Sequence, residues 1–263
     1  MQQAHDFGDE SDAIYELLAP LNDEDFDRPT RFKDWTINDI LAHLHIFNHL
    51  ADLSLLKPDQ FAKEYADMVA LRETGATMRE ATDQLLNNIK GRALLDLWHG
   101  YYPKSTAAFG AADPKQRVKW AGPDMSARSS ISARLMETWS HAQAIYDLLG
   151  VQRTNRDRIK NIVIMGMNTF GWTFINRGED VPEDVPYVRL TAPSGEIWEW
   201  NEASDTNRIE GLAEEFCQVV TQCRNVGDTG LKVTGETATR WMAVAQCFAG
   251  PPETPPAVAA RQV

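Results

Sequence analysis

Apolar positions recur every three or four residues through most of the first 175 positions, a period that predicts helices. Residues 12–21 read as a short amphipathic helix, ended by Pro20 and the polar loop 22–30. Asp34-Trp35-Thr36 then opens a long helix running to about Leu56 and stopped at Lys57-Pro58. Thr36 is its expected N-cap, with Asp39 three residues on, close to the capping-box pattern. Further helices are predicted at 60–70 and 78–97, with the Gly75 region between them, and at 126–149 with Ser126 as cap. The stretch 120–125, Trp-Ala-Gly-Pro-Asp-Met, is a Gly-Pro loop feeding the last of these. Long amphipathic helices with modest connections point to an antiparallel bundle over residues 1–150.

The pattern changes after residue 150. Residues 154–175 carry Ile162, Val163, Met165 and Phe170 at helical spacing, followed by a charged, proline-bearing linker over 177–186. Tyr187-Val188-Arg189-Leu190-Thr191 and Glu196-Ile197-Trp198-Glu199-Trp200 flank Ala-Pro-Ser-Gly and predict a hairpin. A helix at about 208–223, a short strand at 231–234 and a helix at 236–248 complete a small α+β unit over 151–250. Pro251, Pro252, Pro255 and Pro256 leave 251–263 without means of building a core, so a disordered tail is expected. The fold class is therefore mainly α, a bundle with a smaller C-terminal α+β domain.

Composition narrows the function. The chain has 263 residues, 43% of them hydrophobic, enough for a full core. Its net charge of −12 argues against nucleic acid and anionic membrane surfaces as partners. No apolar run approaches the roughly 18 residues that span a bilayer, and the first residues lack an apolar signal core. A soluble, cytoplasmic protein acting on a small molecule, as monomer or homodimer, is expected. Cys217, Cys223 and Cys247 are an odd number without tight spacing, which fits reduced, packed thiols.

The candidate chemistry lies in Arg134-Leu135-Met136-Glu137-Thr138-Trp139-Ser140-His141. Glu137 and His141 stand four apart, so on a helix they share a face and either form a solvated hydrogen-bonded pair or share one small cation. His43 lies amid apolar residues of the helix from Thr36, where an imidazole needs a carbonyl, carboxylate or metal partner. His45 and His49 also stand four apart, but on a polar stripe with Asn38 and Asp52 that reads as solvent-facing.

Trp35-Thr36-Ile37-Asn38-Asp39-Ile40-Leu41-Ala42-His43-Leu44 resembles the W-[ST]-x-x-[DE]-x-x-x-H-L signature of the mycothiol-dependent maleylpyruvate isomerase family, in the DinB superfamily. Residues 134–141 are similar to that family's R-x-x-E-x-x-x-H segment. Val233-Thr234-Gly235-Glu236 with Trp241 to Gly250 is similar to its appended α+β domain. The resemblance implies a DinB-like four-helix bundle and a divalent metal, usually Zn²⁺, held by His43, Glu137 and His141. One departure is Ala144, where members often carry aspartate.

The resemblance further implies a low-molecular-weight thiol and thiol-assisted isomerisation or S-transfer on a small anionic substrate. Hydrolysis by metal-activated water, or non-catalytic binding of metal or a small molecule, would use the same ligands. Arg134, one turn before Glu137, is the candidate catalytic group, as a clamp for a substrate carboxylate or as a helix ion pair. Asp39 either hydrogen-bonds His43 or stabilises the first helical turn. Asn48 is placed on the wall of the site, and Arg224 and Arg240 are candidate anion anchors.

Overall fold

The structure is a computed structural model, and it describes residues 1–120, 122 and 124–261. Two compact units divide the chain, Met1–Leu148 and Leu149–Val263.

The first unit is helical. It contains α1 (Gln2–Leu18), α2 (Ile37–Leu56), α3 (Pro58–Glu73), α4 (Met78–Leu85), α5 (Gly91–His99), α6 (Tyr102–Ala111) and α7 (Ala127–Leu149), with the two-residue strands β1 (Arg117–Val118) and β2 (Met125–Ser126) before α7. Helix α2 begins as its sequence dictates. The Thr36 side chain accepts from the Asp39 N–H, and Asp39 accepts from the Thr36 N–H at 2.7 Å, closing the capping box. Helix α1 starts ten residues earlier than the pattern suggests, because Ala4, Phe7 and Gly8 are buried alongside Ile14 and Leu18. The helix expected over 78–97 is broken instead: Asn87 and Asn88 both adopt left-handed φ, +51° and +56°, which asparagine tolerates better than most residues. The Gly-Pro loop at 120–125 includes Ala121 and Pro123, which lie outside the described residues.

Helix directions follow from which residues meet. The α1 N-terminal amine donates to the Gly110 carbonyl, while Tyr15 stacks on His99, so α1 and α5–α6 are antiparallel. His43 meets Glu137 and Asn48 meets Arg134, so α2 and α7 are antiparallel. Helix α2 runs parallel to α5–α6, as Asn38 reaches Gly91 and Asp52 reaches Ser105, because α3 and α4 return the chain between them. The core is Phe7, Leu41, Leu44, Leu94, Trp98, Phe109, Ile131, Leu135 and Trp139. Helix α2 is buried on nearly every side. The stripe of Asn38, His45 and Asp52 is therefore interior rather than solvent-facing, covered by α5, α6 and the turns beside them.

The second unit is mixed. It contains α8 (Lys160–Asn168), α9 (Phe170–Ile175), β3 (Tyr187–Thr191), β4 (Ile197–Trp200), β5 (Arg208–Leu212), α10 (Ala213–Val220), β6 (Lys232–Thr234) and α11 (Glu236–Val244). The sheet order is β4-β3-β5-β6, with β3 and β5 parallel and the other pairs antiparallel. The segment expected to be helical over 208–223 opens with β5, because Ile209 pairs across to both Val188 and Val233 and fills the sheet centre. Phe174, Val188, Leu190, Ile209, Phe216 and Trp241 form its core.

Residues 251–261 lie outside regular helix and strand but are held in place, contrary to the disorder their composition suggests. Gln246 donates to the Pro251 carbonyl, Asn225 to the Pro256 carbonyl, and Arg261 to the Gln222 carbonyl. Side-chain amides supply the partners that a proline-rich backbone cannot find in itself. Gln262 and Val263, the end of that expected tail, lie outside the described residues. Among the described residues no helix is long and apolar enough to cross a membrane.

Candidate metal centre

Helices α2 and α7 present their facing stripes to each other across the bundle. Four-residue spacing on α7 puts Glu137 and His141 on one side of that helix, and α2 brings His43 opposite them. The Nε2 atoms of His43 and His141 lie 3.1 and 3.2 Å from one atom, Oε2 of Glu137. The three residues offer donor atoms all within 4.8 Å of one another. Both imidazole side chains are 11% exposed and the glutamate 25%, so the cluster opens on one side.

Aromatic rings frame it. Trp35 stacks on His141 at 5.5 Å and meets His43 edge-on, Phe32 packs edge-on against His141, and Phe47 lies 4.5 Å from the His43 ring. These rings lower the local dielectric around the donors, and the electrostatics follow. Burial pushes the His43 imidazole down to about 4, against the opposing pull of its hydrogen bond to Glu137. Burial by itself would raise Glu137, but the hydrogen bonds from His141 and His43 outweigh it and hold the carboxyl well below the usual range. At neutral pH His43 is thus a neutral ring beside a carboxylate, the protonation state in which imidazole can ligate a metal.

Arg134 is almost wholly buried one turn before Glu137, and its Nε donates to Asn48 Oδ1 at 2.9 Å. Burial lowers its pKa to about 10, while the charges of Glu137 and Asp52 oppose that. Its guanidinium also sits 5.8 Å from the Phe47 ring centre. Asn48 is therefore the partner that holds Arg134 in the seam.

Asp39 is engaged elsewhere. Its Oδ2 takes the Thr36 N–H and hydroxyl and lies 3.7 Å from Arg79, whereas His43 Nδ1 is buried without a hydrogen-bond partner. Of the two roles open to Asp39, the structure shows the one at the helix start: the carboxylate turns back to cap its own helix. His49 is not free either: its Nε2 lies 2.7 Å from Glu64 and its Nδ1 3.2 Å from the Tyr101 hydroxyl. In the second unit, Arg240 pairs with Glu179 at 2.6 Å and Arg224 donates to the Cys223 carbonyl. The residues that sequence reasoning passed over are Phe32, Phe47 and Asp52. Phe47 read as ordinary core, Phe32 carried no signal of its own, and Asp52 sat on a stripe assigned to solvent.

Residues 7–146 match the model of the mycothiol maleylpyruvate isomerase N-terminal domain, a span containing all three donors. Uncharacterized proteins from two strains of Mycobacterium tuberculosis are 34% identical over 243 residues, covering 92% of this chain and 93% of the relative. The crystal structure of a mycothiol-dependent maleylpyruvate isomerase superposes with a TM-score of 0.55 at 16% identity, covering 89% of this chain and 93% of that one. A histidine-to-alanine mutant of that isomerase gives 0.52 at 15% identity, over 83% and 87% of the two chains. By the match over residues 7–146, the chain belongs to the mycothiol maleylpyruvate isomerase N-terminal domain family.

Proposed function

We propose that this protein is a divalent-metal-dependent enzyme that acts on a small anionic substrate by thiol-assisted isomerisation or S-transfer, with His43, Glu137 and His141 as the metal ligands. The observation that carries the reading is the convergence of two imidazole nitrogens on one carboxylate oxygen, at 3.1 and 3.2 Å. The donor set fits zinc: two nitrogens and a carboxylate, leaving a fourth position open, as catalytic rather than structural sites do. Bound there, zinc supplies Lewis acidity that keeps a thiol as its thiolate near neutral pH.

The chain's own residues do the rest. Glu137 brings one negative charge and imidazole ligands bring none, so a dication would leave the centre positive. Arg134 adds a further positive charge, which favours an anionic substrate and a thiolate together. Trp35, Phe32 and Phe47 exclude water from the rings they cover. In the isomerisation, thiolate sulfur adds to an alkene carbon conjugated to a carbonyl, forming a C–S bond and moving the π pair to the carbonyl oxygen. Rotation about the new single bond and expulsion of the thiolate restore the alkene in the other geometry, with no oxidant or reductant consumed.

Metal analysis of the purified protein beside His43→Ala and Glu137→Ala tests the assignment. Zinc at about one per chain in the wild type, and well below that in both variants, is expected. Turnover of a cis-unsaturated acid only when thiol is added identifies the thiol route. Cleavage of an ester or amide substrate without thiol would instead make the protein a hydrolase.

A further inference from the structure

The seam between α2 and α7 continues past the three donor residues. The helices are antiparallel and Arg134 meets Asn48; one turn further along each helix lie Ser130 and Asp52. All four side chains are buried, and each has an atom without a hydrogen-bond partner: Nη2 of Arg134, Nδ2 of Asn48, Oδ1 of Asp52 and Oγ of Ser130. Each such atom is costly to bury if nothing meets it. Four on one seam form a built polar site in search of a ligand.

We infer that Arg134 and Asn48 form a carboxylate subsite, with Ser130 and Asp52 closing its far side. This rests on the metal-centred reading above and names the group by which that site holds its substrate. Nη2 and Nδ2 are both donors. The bond from Nε to the amide oxygen of that asparagine keeps the two groups together, and a carboxylate taken up there would meet both N–H donors. The other carboxylate near the guanidinium, Asp52, takes the Ser105 hydroxyl on Oδ2 at 2.8 Å and the Tyr101 hydroxyl as well. Its Oδ1 is left without a partner, and burial raises the Asp52 carboxyl against the pull of those two hydrogen bonds.

Arg134 precedes Glu137 by three residues, about 4.5 Å along the helix axis. The subsite therefore suits a short unsaturated or oxo acid whose carboxylate lies one to three bonds from the reacting carbon.

Succinate is the probe, its diamide the neutral control, and the protein is zinc-loaded and full length. Asn48→Asp is the decisive variant, since it swaps one amide for an oxygen, pairs with Arg134 and repels an incoming carboxylate. Calorimetry is expected to show succinate binding to the wild type, at least tenfold weaker binding to Asn48→Asp and Arg134→Gln, and no binding of the diamide. Zinc should stay at one per chain, with the melting temperature of Asn48→Asp equal to or above that of the wild type. Unchanged succinate affinity in a folded, zinc-bearing Asn48→Asp, or no succinate binding to the wild type, overturns the subsite and leaves the four atoms to water. Failure of the wild type to hold zinc overturns the metal reading instead. The subsite is then judged by the same comparison on the metal-free proteins.

Discussion

Arg134 donates through Nε to Asn48 across the α2–α7 seam at 2.9 Å, with both side chains buried. A guanidinium so placed cannot shed its charge at neutral pH, so the hydrogen bond it donates to Asn48 is part of what makes its burial tolerable. Asn48→Ala removes that acceptor and leaves the charge unserved. Urea unfolding should show a loss of about 2 kcal/mol or more, and a loss under 0.5 kcal/mol would mean that Arg134 swings elsewhere.

Glu137 is the oxygen on which both imidazoles converge, so Glu137→Gln keeps the shape while removing the negative charge. The wild type should gain about 2.7 kcal/mol of stability when free zinc stands at a hundred times its dissociation constant. Thermal scans of Glu137→Gln at the same zinc concentration should show little of that gain. An equal rise in both proteins would place the zinc elsewhere.

Two buried histidines set the acid limit of the metal-free protein. His43 is pushed down to about 4 by burial, and His45 to about 4 by burial and then by the charge of His49. In the unfolded chain both titrate near 6.5, so above that pH neither state takes up a proton and the neutral rings cost nothing. Between 6.5 and 4 the unfolded chain binds protons that the fold refuses. Stability therefore falls as the pH falls, with a slope approaching about 1.4 kcal/mol per pH unit for each ring. Denaturant midpoints in the presence of chelator should follow this descent, and His45→Asn should make it shallower. A flat profile from pH 7 to 4.5 would show that both rings are protonated within the fold.

Asp39 separates helix capping from site chemistry. Asp39→Ala breaks the reciprocal bonds to Thr36 and should cost about 1 kcal/mol of stability. Zinc content and affinity should be unchanged, since His43 Nδ1 does not use this carboxylate. A tenfold drop in zinc affinity would instead make Asp39 an orienting partner of His43.

In the second unit, Gly235 has φ of +95°, and a Cβ there would lie 2.3 Å from the Thr206 carbonyl oxygen. Gly235→Ala combines a left-handed conformation with a backbone clash and should destabilise the protein by roughly 2–4 kcal/mol. Retention of the wild-type melting temperature would mean that the strand-to-helix turn re-forms without strain.

Much of the bundle was legible because α2 and α7 state their boundaries locally: a capping box at Thr36, a proline at 58, and an unbroken period from Ala127 to Leu149. That Glu137 and His141 share a face was legible because a four-residue spacing fixes relative direction on any helix, whereas His43 joined them only through the family resemblance. Partners decided by tertiary contact were not. Whether His45 and Asp52 face water depends on α5 and α6, and no pattern within α2 distinguishes a buried polar stripe from an exposed one. The strand at Arg208–Leu212 reads as the start of a helix until Val188 and Val233 are placed on either side of it.

His43 and Glu137 stand 94 positions apart in the chain. A pairing so remote is assembled only after the intervening helices have docked, and contacts of that sequence separation are slow to close. Helix α7 carries two of the three side chains and α2 the third, so neither helix alone holds the full set. During refolding, competence to capture an ion thus becomes a late reporter of bundle closure, distinct from the early gain of helical signal.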